Sequence, residues 1–331
     1  MTHEPMASII IPTKNRSGML KNALESVLAQ GYKDWETIIV ANGCTDDTAQ
    51  VVGKYLSDPR FKFIDIKEST GGARARNIGI DSARGDYIAF LDDDDEWLPD
   101  KLSEQMAAMN SSKAQIVGCW YDIYRDGAFF GTVRQERSVD LWDLLFENVI
   151  GSFSSCMTKR DYIDGLRIDE RLRACQDWDL WVKILHSTKG RAIIIQKPLL
   201  KYNEHSSPRL TTAHKRVAEA RSLFIKSHWG KMTARHRKYH VLAKQILFSE
   251  KTKHGLAGRL ERSAVFLTVS RKRKSYVLYK KSAVFLSVSR KRKTHVLYKT
   301  FFEYLLGIRS KKLRGALNAL VDSAKYLMGT N

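Results

Sequence analysis

Cysteine is scarce in this 331-residue chain, and none of Cys44, Cys119, Cys156 and Cys175 forms a CxxC pair. Their scatter fits neither a zinc site nor a disulfide scaffold, which predicts a reducing compartment. No apolar run approaches the ~18 residues that a bilayer span needs. The opening Met-Thr-His-Glu-Pro-Met-Ala lacks the charged-then-apolar pattern of a secretory signal. These absences predict a cytoplasmic protein, peripheral on the inner face of the cell membrane if it meets a membrane at all.

Acids are nearly missing from one region. From residue 206 onward, 30 Lys and Arg face five acids (Glu219, Glu250, Glu261, Glu303, Asp322), a net of +25. The first 205 residues carry 26 basic and 31 acidic residues, so the overall +20 hides a mildly acidic part joined to a basic tail. At this length one large domain with an appendage has an ample core.

What is present begins with alternation. Ala7 to Pro12, Trp35 to Val40, Phe61 to Ile66 and Asp86 to Leu91 read as apolar, β-branched strands. Between them Ser17 to Gln30 (closed by Gly31), Asp46 to Leu56 and Gly72 to Ala83 read as helices. Strand alternating with helix predicts an α/β fold, a doubly wound, mostly parallel sheet flanked by helices. Ligands of such sheets bind beyond the carboxyl ends of the strands. The polar loops Thr13–Arg16 and Ala41–Asp46, the loop after Ile66, and Asp92–Asp95 should therefore converge on one crevice.

Asp92, Asp93, Asp94 and Asp95 end the fourth strand together. Four close carboxylates repel one another and need a cation. Short all-oxygen donors suit a hard divalent ion, Mn2+ or Mg2+, that keeps open positions for substrate phosphates. A solvated acidic loop is the plain alternative.

Four stretches carry a resemblance: Ser8-Ile-Ile-Ile-Pro-Thr-Lys-Asn15, Ile39-Val-Ala-Asn-Gly-Cys-Thr-Asp46, Gly72-Ala-Arg-Ala-Arg-Asn-Ile-Gly79 and Tyr87-Ile-Ala-Phe-Leu-Asp-Asp-Asp-Asp95. In order and spacing they resemble family 2 glycosyltransferases, over roughly residues 7 to 205. The resemblance implies the GT-A fold and inverting transfer from a nucleotide sugar. It divides residues 1–210 into a nucleotide-sugar half (7–97) and an acceptor half (98–210). It makes Asp92 and Asp94 the acids that hold donor ribose and metal, with Asp93 between them and Asp95 a supporting acid. Pro12, Thr13 and Asn15 match the first donor loop, and Arg16 beside them is a candidate cation for the donor phosphates. Asn42 and Asp46 follow in the second, and Arg74 or Arg76 matches a basic segment near the nucleotide. A UDP-sugar is favoured, but Asn42 stands where the family commonly has an acid, and an amide both donates and accepts. The donor base stays open.

Beyond the acids, Pro99 to Asn110 reads as a helix. Ile116 to Tyr124 and Phe129 to Val133 read as a hairpin around Asp126-Gly127, Val139 to Phe146 as a helix, and Phe153 to Thr158 and Ala192 to Leu200 as strands. Gln176-Asp-Trp-Asp-Leu-Trp181 resembles the family's acceptor-side Glu-Asp motif, with Gln176 in place of Glu. The resemblance makes Asp177 the catalytic base; helix N-terminal acids with aromatic core partners are the alternative. His205 is a further metal or diphosphate candidate, or a surface loop histidine.

Residues 211–331 read as a basic, mainly helical tail. Within it Ser263–Lys280 returns as Ser282–Lys299 with three of eighteen positions changed. Each copy sets an Arg-Lys-Arg-Lys cluster between apolar-aromatic patches, which favours an anionic membrane surface near a glycan or lipid-linked acceptor. Nucleic acid is the less expected partner, because no zinc finger, helix-turn-helix or aromatic RNA-binding signature is present. A nucleotidyltransferase would share the sheet and the acids, yet Pro12-Thr-Lys-Asn-Arg16 is not a Gly-rich phosphate loop.

Overall fold

A computed structural model describes residues 7–204 and 214–249. His205 and the tandem repeat lie outside the described residues. The chain forms two compact units, Met1–Met232 and Thr233–Asn331.

The first unit runs β1 (Ala7–Thr13), α1 (Ser17–Leu28), β2 (Trp35–Asn42), α2 (Thr48–Gly53), β3 (Phe61–Ile66), α3 (Gly72–Ser82) and β4 (Tyr87–Phe90). It continues through β5 (Glu96–Trp97), α4 (Lys101–Ser111), β6 (Ile116–Arg125), β7 (Ala128–Val133), β8 (Ser138–Asp140) and α5 (Leu141–Leu144). Then come β9 (Met157–Lys159), α6 (Arg160–Ile163), α7 (Gln176–Thr188), β10 (Arg191–Glu204) and α8 (His214–His228). The described part of the second unit is α9 (Ala234–Ser249).

Among the described residues ten strands form one sheet in the order β3-β2-β1-β4-β9-β6-β10-β5, with β7 on β6 and β8 on β10. The longest pairings, β10 with β6 and β1 with β2, are parallel, while the short β9 runs antiparallel between β4 and β6. The four Ile-rich and Phe-rich strands expected at the start are all there. Their continuous apolar runs fit burial on both faces. Ile9 and Ile11 meet Leu20, Leu24 and Val27 of α1 together with Leu102 and Met106 of α4. Ile10, Ile38 and Phe90 turn the other way, onto Ala75 and Ile80 of α3 and Trp178, Trp181 and Leu185 of α7. The period of two along the strand makes this division.

Two local readings change, and one strand is new. The segment expected as a strand from Phe153 forms a 3-10 turn over Phe153–Ser155 before β9 begins at Met157. The turn sets Ser154 Oγ against the Asp92 amide, behind the acids. The helix expected from Val139 starts at Leu141, because Asp140 caps it in a reciprocal capping box with Asp143 and Ser138–Asp140 pairs with β10 instead. The two-residue β5 is too short to leave a sequence signal. At the far end, Phe224 of α8 is fully buried and stacks on Trp178 at 3.9 Å between ring centres. The first compact unit therefore runs past residue 210, to Met232.

Candidate active site

β1 and β4 are parallel neighbours, so Thr13 and the acidic run leave the sheet side by side. Thr13 Oγ1 donates to Asp93 Oδ2 at 2.8 Å, and Arg16 Nη1 donates to Asp93 Oδ1 at 3.1 Å and Asp94 Oδ2 at 3.0 Å. Asp93 is buried, and loss of water pushes its carboxyl up to about 6 against the opposing Arg16 charge. It is no idle spacer: it binds the acidic loop to the first loop.

The neighbouring loops lock together the same way. Asn15, at a φ of 53°, accepts from the Thr45 amide at 2.7 Å, and Asp46 accepts from the Ser17 amide at 3.1 Å. Asn42 Oδ1 accepts from the Thr70 amide at 2.7 Å, which ties the second loop to the third. Gly43 makes that approach possible. Its φ is +67°, and a Cβ there would lie 2.7 Å from the Ser69 nitrogen. Pro12 sits opposite Val40 at the end of β1.

Arg74 and Arg76 part company. Arg74 turns away to Glu170 at 3.6 Å. Arg76 pairs with Asp92, donates to Gln176 Oε1 at 3.1 Å and lies over the Phe153 ring, 4.4 Å from its centre. The floor beneath it is aromatic, with Phe90, Phe153 and Trp181 in mutual contact.

Asp92, Asp94 and Asp95 place carboxylate oxygens within 4.8 Å of one another. Asp95 is buried; desolvation first, then the Asp94 and Asp92 charges, hold its carboxyl well above the usual range. Its Oδ1 accepts from the Asn203 amide at 3.2 Å, while Oδ2 is buried without a hydrogen-bond partner among the described residues. An orphaned buried carboxylate oxygen beside two other acids fits a hard divalent cation. Asn203 also donates to the Asp94 carbonyl at 2.9 Å, and Ser154 Oγ accepts from the Asp92 amide at 3.0 Å. Neither Asn203 nor Ser154 belongs to a motif, and only the structure brings them here.

Asp177 lies in the first turn of α7, whose N-cap Cys175 has a left-handed backbone at φ 60°. The residue is half-buried. Loss of water pushes its carboxyl up to about 6, with the Asp92 charge adding to the rise and the Trp178 amide and Arg76 opposing it. Arg16 ties the first loop to the acids, and Arg76 joins Asp92 to the helix that carries Asp177.

The family model described as Glycosyl transferase family 2 matches residues 8–168. The amylovoran biosynthesis glycosyltransferase AmsB of Erwinia amylovora is 31% identical over 232 residues, covering 66% of this chain and 75% of AmsB. The chain belongs to glycosyl transferase family 2. It is a glycosyltransferase. TuaG of Bacillus subtilis (strain 168), provisionally named a teichuronic acid biosynthesis glycosyltransferase, is 30% identical over 185 residues, 55% of this chain and 73% of its own.

Solved structures agree on the fold of this family 2 enzyme. TarS 1-349 of S. aureus in complex with UDP-GlcNAc superposes with a TM-score of 0.61 at 15% identity, covering 78% of this chain and 79% of that one. The mannosyltransferase PcManGT of Pyrobaculum calidifontis, in complex with GDP-Man and Mn2+, gives 0.56 at 18% identity, covering 82% of each chain. The fold is GT-A, as the four loop motifs imply.

Proposed function

We propose that this glycosyltransferase moves a sugar from a nucleotide-sugar donor to a hydroxyl of a glycan or lipid-linked acceptor in cell-surface polysaccharide synthesis, with inversion. The observation that carries the reading is the placement of Asp177 in the first turn of α7, next to the Gln176 side chain that Arg76 holds while it pairs with Asp92. A sugar hydroxyl is a poor nucleophile. Asp177 takes its proton as the oxygen attacks C1 from the face opposite the leaving diphosphate. A single displacement inverts C1 and needs no enzyme nucleophile. Arg76 and Arg16 stabilise the negative charge that grows on the diphosphate.

Asp92, Asp94 and Asp95 would hold the divalent ion, Mn2+ or Mg2+, with His205 a further candidate ligand. When bound it neutralises the diphosphate as a Lewis acid. Thr13, Asn15, Asn42 and Asp46 shape the nucleotide end of the crevice. The nucleotide sugars held by TarS and PcManGT and the Mn2+ of PcManGT support this donor and metal. The names of AmsB and TuaG support a polysaccharide acceptor. Incubation with UDP-glucose, UDP-galactose, UDP-GlcNAc and GDP-mannose plus Mn2+ should release nucleotide from one of them. Retention of configuration at C1 of the product, followed by NMR, would sink the single displacement.

The enzyme works at the inner face of the cell membrane, docked by residues 211–331. The net +25 of the chain after residue 205 supports this, since basic residues near an anionic leaflet contribute roughly 1 kcal/mol each. No helix among the described residues is long and apolar enough to cross a membrane. Replacing Arg271–Lys274 and Arg290–Lys293 by Gln should weaken cosedimentation with phosphatidylglycerol vesicles. Unchanged binding would refute the docking.

A further inference from the structure

Asn148 lies between α5 and β9, in a segment that carries no motif. Both hydrogens of its side-chain amide are used. Nδ2 donates to the Gly151 carbonyl at 3.0 Å and to Asp177 Oδ2 at 3.1 Å. Oδ1 accepts from the Gly151 backbone N–H at 3.3 Å. A flipped amide would aim its carbonyl oxygen at two acceptors, so Gly151 fixes the orientation. Gly151 itself is held to glycine: its φ is +125°, and a Cβ would meet Ser155 Oγ at 2.5 Å.

Two indoles fasten this segment to α7. Trp178 Nε1 donates to the Leu144 carbonyl at 2.6 Å, and Trp181 Nε1 donates to the Gly151 carbonyl at 3.4 Å. The helix that carries Asp177 therefore grips both ends of the segment that carries Asn148. The remaining oxygen, Asp177 Oδ1, accepts from the Trp178 backbone N–H at 2.8 Å. The two carboxylate oxygens are thus held by different donors, Asn148 and Trp178.

We infer that Asn148 is a positioning residue for sugar transfer, whose amide holds the Asp177 carboxylate in the orientation that receives the acceptor proton. The inference rests on the reading of Asp177 as the base. A donor to a carboxylate favours its ionised form. Asn148 thus works against lost hydration and the Asp92 charge. Arg76 also acts on Asp177, and the Cys156 and Cys175 thiols lie within its electrostatic reach.

The test uses the full-length chain and the nucleotide sugar that the donor panel identifies. Asn148→Leu removes the donor at similar volume. Asn148→Asp keeps the shape and turns the donor into an acceptor. The acid limb of the kcat–pH profile should move up by roughly one pH unit in Asn148→Leu and further in Asn148→Asp. At pH 6 that lowers kcat roughly five-fold or more, with the donor KM unchanged. Asn148→Gln, which keeps an amide donor, should recover part of the shift. A residue with only a structural role would lower the melting temperature and leave the limb in place. Folded Leu and Asp variants that titrate like wild type overturn the inference; if Asn148→Leu does not fold, the isosteric Asp variant decides. Asp177→Asn runs in parallel. If it keeps full transfer, the base reading itself falls; if it loses transfer while the Asn148 variants titrate normally, only the Asn148 inference falls.

Discussion

Arg76 Nη1 donates to Gln176 Oε1 at 3.1 Å while its other terminal nitrogen pairs with Asp92. One guanidinium therefore joins the acid loop after β4 to the helix that carries Asp177. The family's usual Glu would give Arg76 a second carboxylate partner at this position. Here the partner is a neutral amide, which leaves more of the Arg76 charge to act on Asp92 and Asp177.

That difference can be read in a titration. Gln176→Glu adds a negative charge next to Asp177 and draws Arg76 toward itself. Both effects raise the Asp177 carboxyl, so the acid limb of kcat should move up by about half to one pH unit. A limb that stays put, measured between pH 5 and 8, would show that Arg76 does not communicate with Asp177.

Asp177 should be costly to stability in its charged form. Loss of water pushes its carboxyl up to about 6 in the folded protein, above the ordinary 3.8. Between those values the folded protein keeps a proton that the unfolded chain has released. The stability this contributes is full below pH 4 and lost as pH rises through 6. Asp177→Asn, which cannot ionise, should melt higher than wild type at pH 7.5 by about 1–2 kcal/mol, with the gap closing toward pH 4.5. Thermal melts across that range check it; a gap independent of pH contradicts it.

Chelation should stop turnover, and added Mn2+ should restore it. Asp94→Asn should lose activity at any practical Mn2+ concentration. Asp95→Asn should raise the Mn2+ needed for half-maximal turnover roughly 10–100-fold. Manganese titrations monitored by both nucleotide release and electron paramagnetic resonance separate binding from catalysis. Full activity in EDTA would remove the metal from the account.

Gly43 is predicted to be irreplaceable for a steric reason. Gly43→Ala puts a Cβ 2.7 Å from the Ser69 nitrogen in a left-handed backbone. Stability should fall by about 1–3 kcal/mol, with weaker nucleotide binding as Asn42 loses its hold on Thr70. Calorimetry with UDP and GDP reads both effects.

Much of the fold was legible because strands buried on both faces leave unbroken apolar runs, such as Ile9-Ile10-Ile11, that composition alone exposes. The acids announced themselves in the same way. Other parts had no signal. Arg74 and Arg76 are two apart on α3 and so face different directions, but nothing in the sequence says which face meets the acids. Asn148, Ser154 and Asn203 are single polar residues whose roles come from contacts across 29, 62 and 109 positions. Asp93, in the middle of a run of identical residues, gave no hint that it alone would turn to Thr13.

Asp177 is proposed to remove the acceptor proton. The most direct test compares Asp177→Asn with wild type at saturating donor, alongside nucleotide affinity by calorimetry. Loss of the base should lower kcat by roughly 10²–10⁴-fold while nucleotide affinity stays within about two-fold of wild type. A kcat within a few-fold of wild type, with the same affinity, would contradict it.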